Sequence, residues 1–408
     1  MPRSEKKPVI MLLAKPYSVD TRVRNEAETL THAGHKVTVL SWDRWCREPR
    51  EAVINNVNVI SLRLLGGSEL FASNKGSGSS KLSFALSAVL LQFYCVTWCL
   101  KNLNESYIVH SNNFNTLVAG VALRLIRPKV VKLVYDFQEL TPSLYSEWYG
   151  SVVGATAGLM EKTLVRFADI VITVCPAFES YLARMTRHFS SSKRSSVIVL
   201  YNTVKSSDLP SGDKMYWHSR LGLSGFVFTF VGALRGVYAL DEFVETARLF
   251  KNSSIPANFI IVGGGDEFAG LEQKITQYNL SDYVKLIPQL PHNEALEYLK
   301  ACDVSFGVYK SPGNNARLTL PWKVFESMAC STPVIVLENT MAWNFVRENG
   351  AGFAVASWNV SEIYGKLLWA VSHPDIIAEM SSRAQDAYVR HYDWESASQQ
   401  FRDAYSAL

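Results

Sequence analysis

Twice along this chain, short apolar runs alternate with helical stretches of ten or more residues, and that rhythm restricts the fold more than any other feature. "VIMLLA" leads through "TRVRNEAETLTHAGH" to "KVTVLSW". "YIVHS", "VVKLVYDF", "DIVITVC" and "SVIVLYN" follow, with helical stretches such as "TLVAGVALRLI" and "VVGATAGLMEKTLVRFA" between them. A second set opens at "FVFTFVGAL" and runs through "NFIIVGGG", "VKLIP", "DVSFGVY", "PVIVL" and "GFAVA". Strands apolar on both faces and spaced by helices build parallel sheets with helices on each side. The expectation is an α/β protein of two Rossmann-like, doubly wound parallel-sheet domains facing a cleft. The polar stretch "NTVKSSDLPSGDK" reads as the linker. It divides a first domain, 1–205, from a second, 206–378, with a C-terminal helix, 379–408, crossing back to the first.

The 408 residues are enough for two such cores, and 48% hydrophobic with 19% charged residues excludes a disordered chain. A net charge of +4 suits an anionic substrate or an acidic membrane surface. It is too small to argue for nucleic acid, and no recognition-helix or RNA-binding motif is present. Five of the six cysteines have apolar neighbours and none forms C-x-x-C, which fits free thiols in a reducing compartment. The opening "MPRSEKKPVIMLLAKP" lacks a signal peptide's long apolar stretch, so a cytoplasmic location is expected.

Residues 82–100 carry no charge and lie between Lys81 and Lys101, long enough to span a bilayer. Strand-like runs before and after them belong to one sheet, however, which a span would split across the membrane. A buried or membrane-touching helix is the better expectation, and peripheral contact with the inner face of a membrane stays open.

Several chemistries lack their motif. G-x-G-x-x-G fails in "VGGGDEFAG", where Phe268 stands for the third glycine, and no P-loop, G-x-S-x-G elbow or D-x-D pair appears. "LPWKVFESMACSTPVIV" is more informative. Lys323 and Glu326, three apart, share a helix face just before a buried strand, where open α/β sheets bind ligands. A carboxylate there can accept from two hydroxyls and a lysine can offset phosphate. The two could equally pair with each other on a solvated face.

Taken in order, "YSVDTRVRNEAETLTHAGHKVTVLS", "YIVHSNNFNTLVAGVALRL", "KLVYDFQELTPSLY", "ADIVITVCPAFESYL", "FVGALRG", "VGGGD", "LPHNEALEYLKACDVSF" and "LPWKVFESMACSTPVIV" resemble the retaining glycosyltransferases of the GT-B fold, family 4. The resemblance covers nearly the whole chain. It implies a nucleotide-sugar donor on the second domain, with Glu326 on the ribose, Arg235 and Lys323 on the diphosphate, and Gly232, Asn314, Asn315 and Arg317 around the donor. On the first domain it implies an acceptor region of Asp20, Arg22, Asn112, Asp136, Gln138 and Glu139, with His110 as a candidate catalytic group.

Four positions depart from the family pattern. Leu318 replaces the first glutamate of E-x7-E, Ala233 and Tyr238 stand where the phosphate-binding arginine and lysine are expected, and Gln138 replaces a histidine. The implied reaction is sugar transfer with retention to a hydroxyl of a glycan or lipid-linked acceptor, without metal or separate cofactor. A non-catalytic partner subunit, which the four departures suit, and a nucleotide-sugar epimerase are the alternatives.

Overall fold

The computed structural model describes residues 6–64, 78–187, 196–310, 313 and 317–408. Chain contacts divide the molecule into one unit of Met1–Leu200 with Ser398–Leu408 and a second of Tyr201–Ala397. The returning segment is therefore shorter than 379–408. The helix Pro374–Ala387 stays with the second unit, and only the end of the chain, with the helix Gln399–Ser406, joins the first.

The first unit holds an eight-stranded sheet. Its strands are β1 (Val9–Leu13), β2 (Val37–Trp42), β3 (Glu51–Ile54), β4 (Val57–Leu62), β5 (Tyr107–Asn112), β6 (Val131–Phe137), β7 (Ile170–Thr173) and β8 (Ser196–Val199), in the spatial order β3-β4-β2-β1-β5-β6-β7-β8. All pairs are parallel except β3 with β4. Every residue of β1, β2 and β5 is buried, which is why these strands read as mainly apolar runs, although β2 and β5 also bury Thr38, Ser41, His110, Ser111 and Asn112. Strand β3 is an edge strand that the sequence rhythm does not show, because its residues are largely exposed. Its signal is Asn55-Asn56, both at positive φ (50° and 63°), the backbone of a two-residue hairpin turn.

The long helix Gly78–Asn102 packs on the helix Phe114–Ile126 through a narrow stripe. Ser87, Leu91, Cys95 and Cys99 are buried at four-residue spacing, and Gln92 bonds to Asn115 O and to the backbone N–H of Ala119. Leu86, Val89 and Phe93 on the other side are 49%, 64% and 69% exposed. Among the described residues, no helix is long and apolar enough to cross a membrane.

The second unit has six parallel strands: β9 (Phe226–Val231), β10 (Ala257–Val262), β11 (Val284–Ile287), β12 (Val304–Phe306), β13 (Val334–Leu337) and β14 (Gly352–Val355), ordered β11-β10-β9-β12-β13-β14. The order reverses between β9 and β12, the switch point at which such sheets hold ligands beyond their carboxyl ends. Phe228, Phe243, Phe250, Phe259 and Phe306 knit its core, with ring centroids 4.5–5.7 Å apart. Each is at most 1% exposed, and burying a ring of this size stabilises by roughly 1.5–3 kcal/mol. This rigid packing fixes the strand ends from which the site is built.

Candidate active site

Beyond β9 and β10 the chain forms two glycine loops laced together. Gly232 N–H donates to Val262 O and Leu234 N–H to Gly264 O. A Cβ at Gly263 would lie 1.9 Å from Gly232 O, and one at Gly265 would lie 2.3 Å from Leu234 O. The glycines of "VGGGD" thus permit a close backbone approach and do not form a dinucleotide fingerprint.

Lys323 is delivered to this place from the helix Trp322–Ala329. Its Nζ lies 3.9 Å from the ring centroid of Phe230 on β9 and 3.5 Å from that of Tyr238. A Cβ on Gly232, which sits at φ +143°, would come within 3.4 Å of the same nitrogen. Tyr238 in turn stacks on Tyr309 beyond β12, centroids 4.9 Å apart, so the ammonium stands across the switch point. It is buried and pairs with no carboxylate among the described residues, the Tyr238 hydroxyl being its hydrogen-bonding neighbour. Burial lowers its pKa from the ordinary lysine range, against the opposing pull of Tyr238 and Glu326. Tyr238 stands where the family pattern expects a lysine, and the cation on its face comes from another element.

No ion pair joins Lys323 to Glu326. Glu326 is 8% exposed, and its Oε1 accepts from Nε2 of His292 at 2.6 Å. His292, the first residue of the helix His292–Lys300, lies in the quoted "LPHNEALEYLKACDVSF", but sequence reasoning did not single it out. Its signal was its place just after Pro291, at the start of a helix following a strand. Arg235 and Ala233 are exposed on the loop after β9, and Arg317 and Leu318 are exposed between β12 and the helix Trp322–Ala329. Asn314 and Asn315 lie outside the described residues.

The first-unit residues come together differently from the expectation. Arg22 is 3% exposed and grips Asp136 with two bonds, Nε to Oδ2 at 2.9 Å and Nη2 to Oδ1 at 2.8 Å, while Nη1 donates to Leu200 O at 2.8 Å. Its guanidinium faces inward and is already engaged, so it is not poised for a phosphate. Asp20 caps the helix Thr21–His32 by accepting from Val23 N–H and pairs with Lys15. Asn112 is buried and donates to Leu12 O. Gln138 is half-buried and donates to Asp136 Oδ2 at 2.5 Å, whereas Glu139 is exposed. His110, the candidate catalytic group, is fully buried: Nδ1 bonds Tyr405 Oη at 2.5 Å, and Nε2 lies 3.5 Å from Glu26 Oε2. In this arrangement it has no access to an acceptor hydroxyl.

Glu26 is the group the sequence hid, a helical carboxylate that reads as solvent-facing and is in fact 0% exposed. Glu26, His110 and Asp136 each bring a ligand atom within 4.8 Å of the others, a geometry that could hold a metal ion. Arg22, 2.9 Å from Glu26 Oε1 and paired with Asp136, already supplies the positive charge there.

Burial, then the charge of Asp136, raises the Glu26 pKa well above its ordinary 4.5, against the pull of Arg22. Burial lowers His110 from 6.5 to about 4, partly offset by Asp136. The remaining groups facing them are Asp20 and Tyr405. As long as the pH stays below the raised pKa of folded Glu26, folded and unfolded chains each carry one proton on this pair between the ordinary glutamate and histidine values, so the pair adds no slope there. Above the ordinary histidine value the unfolded chain releases its proton, while Glu26 holds one in the fold until its own raised pKa is reached. Stability then falls as pH rises, by up to about 1.4 kcal/mol per unit. Urea midpoints from pH 5 to 8.5 should show this decline in wild type and its loss in Glu26→Gln. Parallel curves above pH 6.5 would contradict the assignment.

Comparison with known proteins agrees with this architecture. The family model described as glycosyl transferases group 1 matches residues 217–387, and the glycosyl transferase 4-like domain matches 19–198. The two matches fall one in each unit and together span most of the chain, which belongs to the family-4-type glycosyltransferases of the GT-B fold. One relative, the amylovoran biosynthesis glycosyltransferase AmsK of Erwinia amylovora, is 25% identical over 125 residues. That match spans 31% of this chain and 31% of the relative, about a third of its length.

Among solved structures, sucrose-phosphate synthase from Thermosynechococcus elongatus superposes with a TM-score of 0.75 at 18% identity, covering 98% of this chain and 99% of that one. HepE of Anabaena in complex with UDP-glucose gives 0.68 at 18% identity, covering 98% and 100%. At these identities the likeness is one of fold.

Proposed function

We propose that this enzyme transfers a sugar from a nucleoside diphosphate sugar to a hydroxyl of a glycan or lipid-linked acceptor, with retention at the anomeric carbon and without a metal. The observation that carries this reading is the Lys323 ammonium, buried at the switch point of the second sheet without a carboxylate partner among the described residues. A buried cation left in that state is costly unless an anion completes it. A diphosphate supplies that anion and gains most as its charge grows on leaving. Arg235, exposed on the neighbouring loop, can meet the same oxygens. Glu326 presents a carboxylate to the ribose hydroxyls.

In the reaction the bond from the anomeric carbon to the phosphate oxygen breaks and a bond to the acceptor oxygen forms. The acceptor's proton passes to the departing diphosphate, so no protein base is required. HepE has been crystallised in complex with UDP and with UDP-glucose, which favours this donor class. AmsK belongs by name to amylovoran biosynthesis, which favours a growing polysaccharide as acceptor. The exposed Leu86, Val89 and Phe93 offer a surface for peripheral contact with a membrane that carries such an acceptor.

The test is thermal unfolding with nucleoside diphosphates and nucleotide sugars, with and without chelator. One ligand at about 100 times its Kd should raise Tm by about 5–10 °C. The rise should survive chelation and be largely lost in Glu326→Ala. No shift across the panel, or an undiminished shift in Glu326→Ala, would count against the donor site.

A further inference from the structure

We infer that His292 is a positioning residue that sets Glu326 for ribose recognition, and so decides how sharply the enzyme tells a ribonucleotide donor from a 2′-deoxy one. The inference rests on the reading of Glu326 as the ribose ligand. A glutamate has three side-chain torsions, and each carboxylate oxygen has two acceptor positions. An unsupported carboxylate would lose that freedom when it took the ribose and would discriminate poorly between one hydroxyl and two.

Here the freedom is already removed. Glu326 is 8% exposed on the helix Trp322–Ala329, and His292 Nε2–H donates to Oε1 at 2.6 Å. Oε2 has no hydrogen bond within the described protein and is not among the fully enclosed polar atoms, so it remains open to a hydroxyl. The imidazole is itself placed. It begins the helix His292–Lys300, behind Pro291 at φ −52°, and the Trp322 ring stands edge-on to it with centroids 6.5 Å apart. The next helix therefore carries three neighbours with separate tasks: Trp322 backs the histidine, Lys323 stands on the aromatic faces, and Glu326 receives the histidine's bond.

A bond from an imidazole N–H to a carboxylate is charge-assisted, and its loss frees the acceptor to swing. Only contacts made by that carboxylate should suffer. Diphosphate binding through Lys323 is left in place, so the effect appears in the ratio of ribo- to deoxyribonucleotide affinity more than in affinity alone.

Calorimetric titration of UDP, GDP, ADP and CDP and their 2′-deoxy counterparts into wild type, Glu326→Ala, His292→Ala and His292→Gln tests this. Wild type should favour its preferred ribonucleotide by roughly tenfold or more, a charged hydrogen bond's worth of discrimination. Glu326→Ala and His292→Ala should both reduce that ratio several-fold, and His292→Gln, whose amide donates from a similar position, should restore most of it. If His292→Ala does not fold, His292→Leu fills its volume without a donor and is read instead. A ratio lost in Glu326→Ala but kept in the donor-less His292 variant overturns the positioning role and leaves the donor site intact. A ratio kept in Glu326→Ala, or no binding by wild type, overturns the ribose reading and this inference with it.

Discussion

Lys323→Ala is expected to lower the rate of nucleoside diphosphate release from the donor sugar by about 10²–10³-fold, with little or no loss of stability. The two halves of that result follow from one geometry. The ammonium is buried, contacts the faces of Phe230 and Tyr238, and has no carboxylate partner among the described residues. Such cation–π contacts give back roughly 2 kcal/mol at a desolvated site, less than the cost of holding an unpaired charge out of water. Removing the charge therefore relieves the free protein. The same charge, fixed before the substrate arrives, needs no reorganisation when the leaving diphosphate becomes more negative. That is the condition under which one positive donor contributes about 2.7–4 kcal/mol to a transition state. Lys323→Met keeps the aliphatic stem against the rings and separates charge from packing. Both variants should unfold at or above the wild-type temperature while turnover collapses. Turnover near wild type would remove Lys323 from the chemistry, and a large fall in Tm would make it a structural cation.

The parts of this molecule that can be read from the sequence are those whose cause is local. Strands β1, β2 and β5 are buried along their whole length, so hydrophobicity marks them without reference to partners. The place of Lys323 and Glu326, ahead of a buried strand, is local in the same sense. What they touch is not. His292 lies 34 residues before Glu326, and Phe230 and Tyr238 lie farther back again, on other segments of the same unit. His110 misled for a related reason. A histidine near the carboxyl end of a strand reads as solvent-facing until Tyr405, 295 residues away, returns on the last helix and closes over it. Glu26 gave no signal at all, because a carboxylate inside an amphipathic helix is ordinarily exposed and only the inward-facing Arg22 accounts for it. Local pattern locates the layers. Long-range pairing decides which polar groups stay accessible.

That distinction makes the second large effect a matter of stability. Arg22→Ala should cost about 3–5 kcal/mol, because it strands Asp136 without its partner at 0% exposure. In a unit of this size the loss corresponds to a fall in Tm of about 6–20 °C. It would consume much of the roughly 5–15 kcal/mol by which domains are stable. Asp136→Asn keeps the side chain's shape but leaves the guanidinium short of its anion, and should cost less than Arg22→Ala but remain clearly measurable. The double variant Arg22→Met with Asp136→Asn discriminates best. Replacing both members of a buried pair removes the stranded charge, so the double variant should recover a large part of what Arg22→Ala loses. Donor binding should stay within a few-fold of wild type in whichever of these variants folds, since Lys323, Glu326 and His292 all belong to the second unit. The opposite pattern, an unfolding temperature within a degree or two of wild type with transfer abolished, would return Arg22 and Asp136 to the substrate and make their mutual grip a resting state that the reaction breaks.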